Sequence, residues 1–405
     1  MEQLTKIHKK LVKETELSFF RYLYHEIDWG NRIVGIRGPR GVGKTTLMLQ
    51  HIKNDLNIND VLYINADDIY FSEHRILDLA ERLVQRGIQY LFIDEIHKYK
   101  DWSKELKLIY DYYSELKIVF SGSSILDINK GISDLSRRVV LYDLYGLSFR
   151  EYLALFHQIT SPIYSLDEII QGLPEEFEIK TPLLYFEDYL KHGYYPFSKE
   201  RGFDEKLRQI INLTLENDIP SFANLPASTG RRLKKLLMVI SKSVPFQPNM
   251  SKLAELIDAN RNMMPDYFQY IEDAGMITQL RDNTGGVRGL GKIEKVYLDN
   301  ANLIYSLAEG EPNIGNIRET FFINQTRVRN VVTSSDISDF QIDGRTFEIG
   351  GKSKGMKQIK EANEGYIVKD QIEYYSIWSY YAIMVVWFEL LMFRSSLDWY
   401  CDGQV

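Results

Sequence analysis

The sequence predicts an α/β protein built on a parallel sheet with helices on both faces, followed by a helical connector and smaller C-terminal units. Three observations lead there. Short β-rich runs alternate with helix-period stretches over the first third of the chain. A glycine-rich segment, residues 38 to 45, sits between one such run and a helix. Beyond residue 230 the periodicity passes from helices to a hairpin and then to short strands.

Taken in order, the β-rich runs are RIVGIR (32 to 37), VLYINA (61 to 66), QYLFID (89 to 94), KIVFSG (117 to 122) and RVVLYDL (138 to 144). Helical stretches lie between them at Thr45 to Lys53, Ile76 to Gln85 and Ser103 to Leu116. From about Ser148 to Asn224 the pattern is helical and irregular, with turn signals at GLP (172 to 174) and HGYYP (192 to 196). Arg231 to Ser241, Ser251 to Ile257 and Met263 to Ala274 read as three helices. MITQLR, the turn DNTGG and KIEKVYL then read as a hairpin, and three helices with a hairpin predict a winged helix. From Glu319 onward the strands FEIG and GYIV around a helix predict a small α/β domain. The expected divisions are 1–150, a connector over 151–229, the winged helix over 230–310, and a last domain over 311–405 with an unassigned tail.

The 405 residues carry a net charge of -7, 44% hydrophobic and 26% charged residues, so an ordinary packed core is expected and no global attraction to polyanions. The one cysteine, Cys401, excludes an intrachain disulfide framework and fits a reducing compartment. MEQLTKIHKKLVKETELSFF has no continuous apolar stretch and does not read as a secretory signal, which makes the cytoplasm the expected location. Tyr374 to Phe393 is long enough to span a bilayer core, with only Glu389 charged. Its aromatic residues are spread throughout instead of collecting at the ends, which favours a buried strand and helix over a membrane span.

The chemistry concentrates in GPRGVGKT, residues 38 to 45, which fits the spacing G-x-x-x-x-G-K-[ST]. Gly38, Gly41 and Gly43 let the backbone turn so that N–H groups face phosphates at a helix N-terminus. The whole run Gly38, Pro39, Arg40, Gly41, Val42, Gly43, Lys44, Thr45 and Thr46 is therefore the expected nucleotide-binding segment, with Lys44 on the β- and γ-phosphates and the Thr45 hydroxyl on Mg²⁺. Asp94 ends the apolar run LFID. A carboxylate there needs a cation nearby, and Mg²⁺ beside the phosphate loop supplies one. Glu95 is then placed to orient and polarise the attacking water, which points to ATP hydrolysis in a P-loop NTPase fold. Ser121 and Ser123 are candidates to bond the γ-phosphate or the water, or simply form a turn. Arg137 and Arg138 are candidates for charge stabilisation at the site edge.

GPRGVGKTT, YLFIDEIHKYKDW, IVFSGSS, SRRVVLYDLYGLSFREYL, YLKHGYYP and ETFFINQTR, in this order, resemble a family of prokaryotic AAA-like P-loop ATPases over nearly the whole chain to about residue 372. The resemblance implies a helical connector, a winged helix and a restriction-endonuclease-like C-terminal domain. It implies ATP and Mg²⁺ binding by Lys44, Thr45 and Asp94, Glu95 as the catalytic acid-base residue, and Arg138 as an arginine finger. The family's glycine before that arginine is replaced here by Arg137.

In such nucleases an Asp and a Glu-x-Lys bind metal and activate water. Asp339 and Glu348 are present, but Gly350 occupies the lysine position and Lys352 follows two residues later, so a nuclease-like fold with lost or weakened chemistry is expected. The candidate for the second, groove-reading helix of the helix-turn-helix, 262 to 275, holds Asp266, Glu272 and Asp273 and no Lys or Arg. Arg281, Arg288, Lys292 and Lys295 in the hairpin could touch phosphates. Tyr267, Tyr270 and Ile271 should face the core. The expected activity is ATP hydrolysis coupled to movement of the later domains, with a protein client favoured over DNA. An ATP-gated interaction switch and an ATP-dependent DNA-binding protein or nuclease remain as alternatives. A homo-oligomer is expected if Arg138 acts on a neighbouring copy.

Overall fold

The computed structural model describes residues 1–123, 128, 131, 135, 137–171, 181–283, 292–355 and 357–370, and the backbone of 383–385. The β-α alternation becomes a five-stranded parallel sheet of β1 (Ile33–Arg37), β2 (Val61–Asn65), β3 (Tyr90–Asp94), β4 (Lys117–Gly122) and β5 (Val140–Asp143) in the order β2-β3-β4-β1-β5. The strands are apolar without alternation because both faces are covered. In β1, Ile33 enters the core on one face while Val34 and Ile36 enter the other, as the two-residue period of a strand requires. The helix Lys44–Asp55 packs Leu47, Met48 and Ile52 with Val34, Ile36 and Phe92. The helices Ile76–Val84 and Trp102–Tyr112 cover the opposite face through Leu79, Leu83, Leu106 and Ile109.

Register decides what meets at the sheet's end. Arg37 is level with Gly122, Ile93 with Phe120, and Asn65 with Asp94. The residues following β1, β3 and β4 therefore emerge side by side at the carboxyl ends of the strands, where open α/β sheets place their ligands.

Sequence reading left the N-terminus unassigned. It forms the helix Glu2–Glu14, which puts Leu4 in one core and Val12 in the other and lies against β2. A helix there covers the exposed side of an edge strand. His8 is buried within it, and its Nδ1 accepts from the Tyr63 amide at 3.2 Å.

After β5 the chain enters the helix Phe149–His157, opened by a capping box of Ser148 and Glu151. Two π-helical turns, Tyr189–Gly193 and Thr214–Asp218, mark the irregularity expected of the connector. The GLP turn lies outside the described residues. Helices Ala227–Ser243, Met250–Leu256 and Met264–Asp273 follow, then the antiparallel pair β6 (Ile277–Arg281) and β7 (Ile293–Leu298), with Phe246 bridged to Val296. Leu233, Leu237, Ile240, Phe268, Ile271 and Val296 share one core. Tyr267 is buried in it and Tyr270 packs partly against it.

The last sheet runs β12-β11-β10-β9-β8, with β8 (Val332–Ser334), β9 (Phe340–Ile342), β10 (Arg345–Gly350), β11 (Gly365–Lys369) and β12 (Ile383–Val385). β8, β9 and β10 pair antiparallel, and β10, β11 and β12 pair parallel. The helix Ile314–Thr326 covers this sheet through Phe321 and Phe322. Between β10 and β11 the described residues form turns instead of a helix. Among the described residues no helix is long and apolar enough to cross a membrane. The apolar run 374 to 393 lies outside them except for the β12 backbone.

Candidate functional site

The loop between β1 and the helix Lys44–Asp55 is shaped by its glycines. A side chain on Gly38 would place Cβ 2.1 Å from the Leu144 carbonyl oxygen, and Gly43 has a φ of +99°. Lys44 opens the helix, buried, with Nζ donating to the Gly38 and Pro39 carbonyls at 2.8 Å each. Burial pulls its pKa down to about 8, against the opposing pull of Glu95 and Asp94. The loop is braced from behind by Arg21. Its guanidinium donates to the Val42 carbonyl at 2.5 Å, to the Tyr145 and Gly146 carbonyls, and to Glu151 at 2.9 Å. Val42 itself points its side chain into the core.

Asp94 is buried and fully engaged. Oδ2 accepts from Thr45 Oγ1 at 2.6 Å and from the Tyr63 hydroxyl at 2.8 Å, while Oδ1 accepts from Ser121 and from the Glu95 amide at 3.1 Å. Burial, with Asp94 beside it, pushes the Tyr63 phenol far up, so Tyr63 stays a donor. Glu95 adopts a left-handed backbone at φ +51°, a conformation non-glycine residues rarely take and one that recurs at functional sites. Its Oε2 accepts from Ser123 at 3.0 Å and lies 3.4 Å from His97 Nε2. Burial pulls the His97 pKa down to about 3, so the ring is neutral at physiological pH.

A cavity of 490 Å³ opens over this arrangement, lined by Arg40, Gly41, Gly43, Lys44, Thr45, Thr46 and Glu95 on one side and Pro196, Phe197 and Glu200 on the other. The donor set fits a small hard cation. The hydroxyl of Thr45, which lines the cavity, stands 2.6 Å from an oxygen of the buried Asp94 carboxylate, and Mg²⁺ ordinarily takes one or two protein oxygens with the rest from phosphate and water. Among the described residues no group of three or more His, Cys, Asp or Glu could hold a metal without such help.

Not every expected residue points into the cavity with its reactive atoms. Arg40 turns away and makes a bidentate pair with Asp218 at 2.8 and 3.0 Å, and Lys98 reaches the same carboxylate at 3.5 Å. Pro39 packs against Gly275. Ser121 and Ser123 hold the two carboxylates and are not left open for a phosphate. Arg138 lies at the opposite end of the sheet. β5 runs parallel to β1 with Val140 level with Val34, so residues ahead of β5 sit where β1 begins, and Arg138 pairs with Asp111 at 3.1 Å. Within one chain it does not reach the phosphate loop. Residues that sequence reading missed are Arg21, Tyr63, His97, Phe197, Glu200 and Asp218. Only His97, three residues after Asp94, carried a local signal, since the others arrive from distant segments.

In the C-terminal sheet, Asp339 accepts from Lys295 at 3.2 Å and from the Ile349 amide at 2.9 Å. Glu348 is buried and pairs with Lys354, not Lys352. A Cβ on Gly350 would lie 2.5 to 2.7 Å from the Lys354 side chain, so Lys354 crosses the space that a lysine at 350 would fill. The basic residues of the hairpin are likewise committed. Lys295 bonds Glu319 and Asp339, Lys292 bonds Glu294, and Arg281 lies 3.9 Å from Glu272. Arg288 is outside the described residues.

Residues 30–153 match the family model of an AAA domain, and residues 183–313 match a domain of unknown function, DUF8612. No curated protein matches the chain. Among solved structures, that of C. elegans PCH-2 aligns at 14% identity over 66% of this chain and 67% of that one, with a TM-score of 0.26. The sheet that carries the phosphate loop and the carboxylate pair thus lies within the segment similar to AAA domains, and the three helices with their hairpin lie within the second match.

Proposed function

We propose that the chain hydrolyses ATP with Mg²⁺ and transmits the nucleotide state to its helical connector, winged-helix unit and nuclease-like domain. The observation that carries the reading is the 2.6 Å contact between Thr45 and Asp94 beneath a glycine-built phosphate loop, with Glu95 next in sequence and lining the cavity with Thr45. Lys44 and the loop amides would hold the β- and γ-phosphates, and Thr45 and Asp94 would hold the cation. Mg²⁺ supplies charge neutralisation of the phosphate oxygens. Glu95 accepts a hydrogen bond from the attacking water and takes its proton, while Ser123 and the neutral His97 fix the carboxylate's direction.

The coupling reading rests on three contacts. Arg40 of the loop is tied to Asp218 of the connector, Phe197 packs on Gly41, and Gly275 presses on Pro39. Occupation of the loop by phosphates must act on all three. The paired hairpin cations favour a protein client over DNA. Phosphate release from ATP tests the reading. It should require Mg²⁺ and be lost in Lys44→Ala and Thr45→Ala; release that persists in both variants would overturn it.

A further inference from the structure

On the far side of Pro39 lies a second cavity, of 610 Å³, that the ATP reading does not use. Its walls come from the ends of β1 and β5, the end of the helix Met264–Asp273, β6, and the segment around Arg327 and Val331. Five carboxylates line it against three guanidiniums. Arg37 is paired with Asp143, and Arg327 with Asp299 at 2.5 Å, while Arg281, 3.9 Å from Glu272, is the remaining guanidinium of the described lining beside Glu272 and Asp273. Burial pushes the Glu272 and Asp273 carboxyls above the usual range, because the neighbouring cations do not fully compensate them.

An independent observation points the same way. Gln279 is 8% exposed and lines the cavity, and its Nε2 donates to Glu272 at 2.7 Å, yet its Oε1 has no partner. A buried acceptor without a donor is costly, so the cavity asks for a group that donates hydrogen bonds and carries positive charge. Asp282 and Asn283 also line an adjoining cleft of 760 Å³, where Glu294, Asp336 and Asp339 outnumber Lys295. An acidic cleft of that extent suits a run of residues better than one small amine.

We propose that this cavity receives a lysine or arginine side chain from a basic segment of a partner protein. The cation lies against Glu272 and Asp273 and donates to Gln279 Oε1, and the segment continues along the acidic cleft. The inference supplies the chemistry of the client in the ATPase reading, but binding itself does not depend on hydrolysis. Since Pro39 forms part of the wall, the bound side chain sits one residue from the glycine that opens the phosphate loop.

The test is fluorescence anisotropy of the full chain with a labelled arginine-rich peptide and its glutamine-for-arginine counterpart, without nucleotide. The wild type should bind the first and not the second. Val331→Trp, which fills the mouth and leaves every charge, and Asp273→Asn should each weaken binding roughly tenfold or more. Glu115→Gln, a remote exposed acid, should change nothing. Lys44→Ala should bind the peptide as the wild type does, which separates this proposal from the ATPase reading. Equal binding by wild type, Val331→Trp and Asp273→Asn would reduce the effect to general electrostatics and overturn the proposal, as would absence of peptide binding. Agmatine binding as tightly as the peptide would replace the protein partner with a small cation.

Discussion

Asp94 shows how much a single buried carboxylate can organise, since four donors converge on it: one each from β2 and β4, one from the residue after β3, and one from Thr45 beside the phosphate loop. Its position was legible, because an apolar run that ends in two acids downstream of G-x-x-x-x-G-K-T is the pattern a cation site beside a phosphate loop requires. Tyr63 was not, since nothing local in VLYIN marks the one residue of β2 that reaches β3's last side chain. Tyr63→Phe should cost about 1 kcal/mol in chemical denaturation, the net worth of one hydrogen bond, with ATP affinity little changed. The lysine that reaches Glu348 was not legible for a similar reason. The sequence reading left Lys352, after two glycines, off the site, and it gave no sign that the turns there bring Lys354 back across position 350. Lys354→Met should destabilise the last domain by about 2 kcal/mol, because it strands a buried carboxylate, and thermal unfolding measures this directly.

At the scale of elements, the parallel sheet and its helices were read closely, because strands buried on both faces are continuous apolar runs of fixed length. The N-terminal helix was missed, since alternating charged and apolar residues over Glu2–Glu14 look like surface until β2 is beside them. His8 anchors that helix in its neutral form, and burial holds its pKa below the ordinary 6.5. The unfolded chain therefore gains a proton that the folded chain resists, and stability is lost as pH falls below about 6.5. In His8→Leu, urea denaturation at pH 7 and pH 5.5 should show a smaller pH effect than in the wild type. Gly275 is an element boundary of another kind. It ends the helix Met264–Asp273 with a φ of +70°, and a Cβ there would lie 2.4 Å from Pro39 Cγ. Gly275→Ala should cost about 1 to 2 kcal/mol and weaken nucleotide binding, whereas a glycine serving only the turn would leave binding intact.

For the whole molecule, the contacts that join the parts are the ones a single sequence conceals. Arg21 and Glu151 are 130 residues apart, and Arg40 and Asp218 are 178 apart, so no window or spacing rule connects them. Both tie the phosphate loop to segments outside the sheet, Arg40 directly and Arg21 through the Val42 carbonyl. Arg138 belongs at this scale too. It stands at the far end of the sheet, so a catalytic role requires a second copy, and hydrolysis per chain should rise with protein concentration. A rate per chain that stays constant on dilution would leave Arg138 as a partner of Asp111 only. The central claim is narrower: Glu95 is the group that turns a nucleotide-binding loop into an ATPase. It is tested most directly by measuring ATP binding and steady-state phosphate release in the wild type and in Glu95→Gln. The account predicts that the variant binds ATP as tightly as the wild type and releases phosphate at least about 100-fold more slowly. Undiminished release from Glu95→Gln would contradict it.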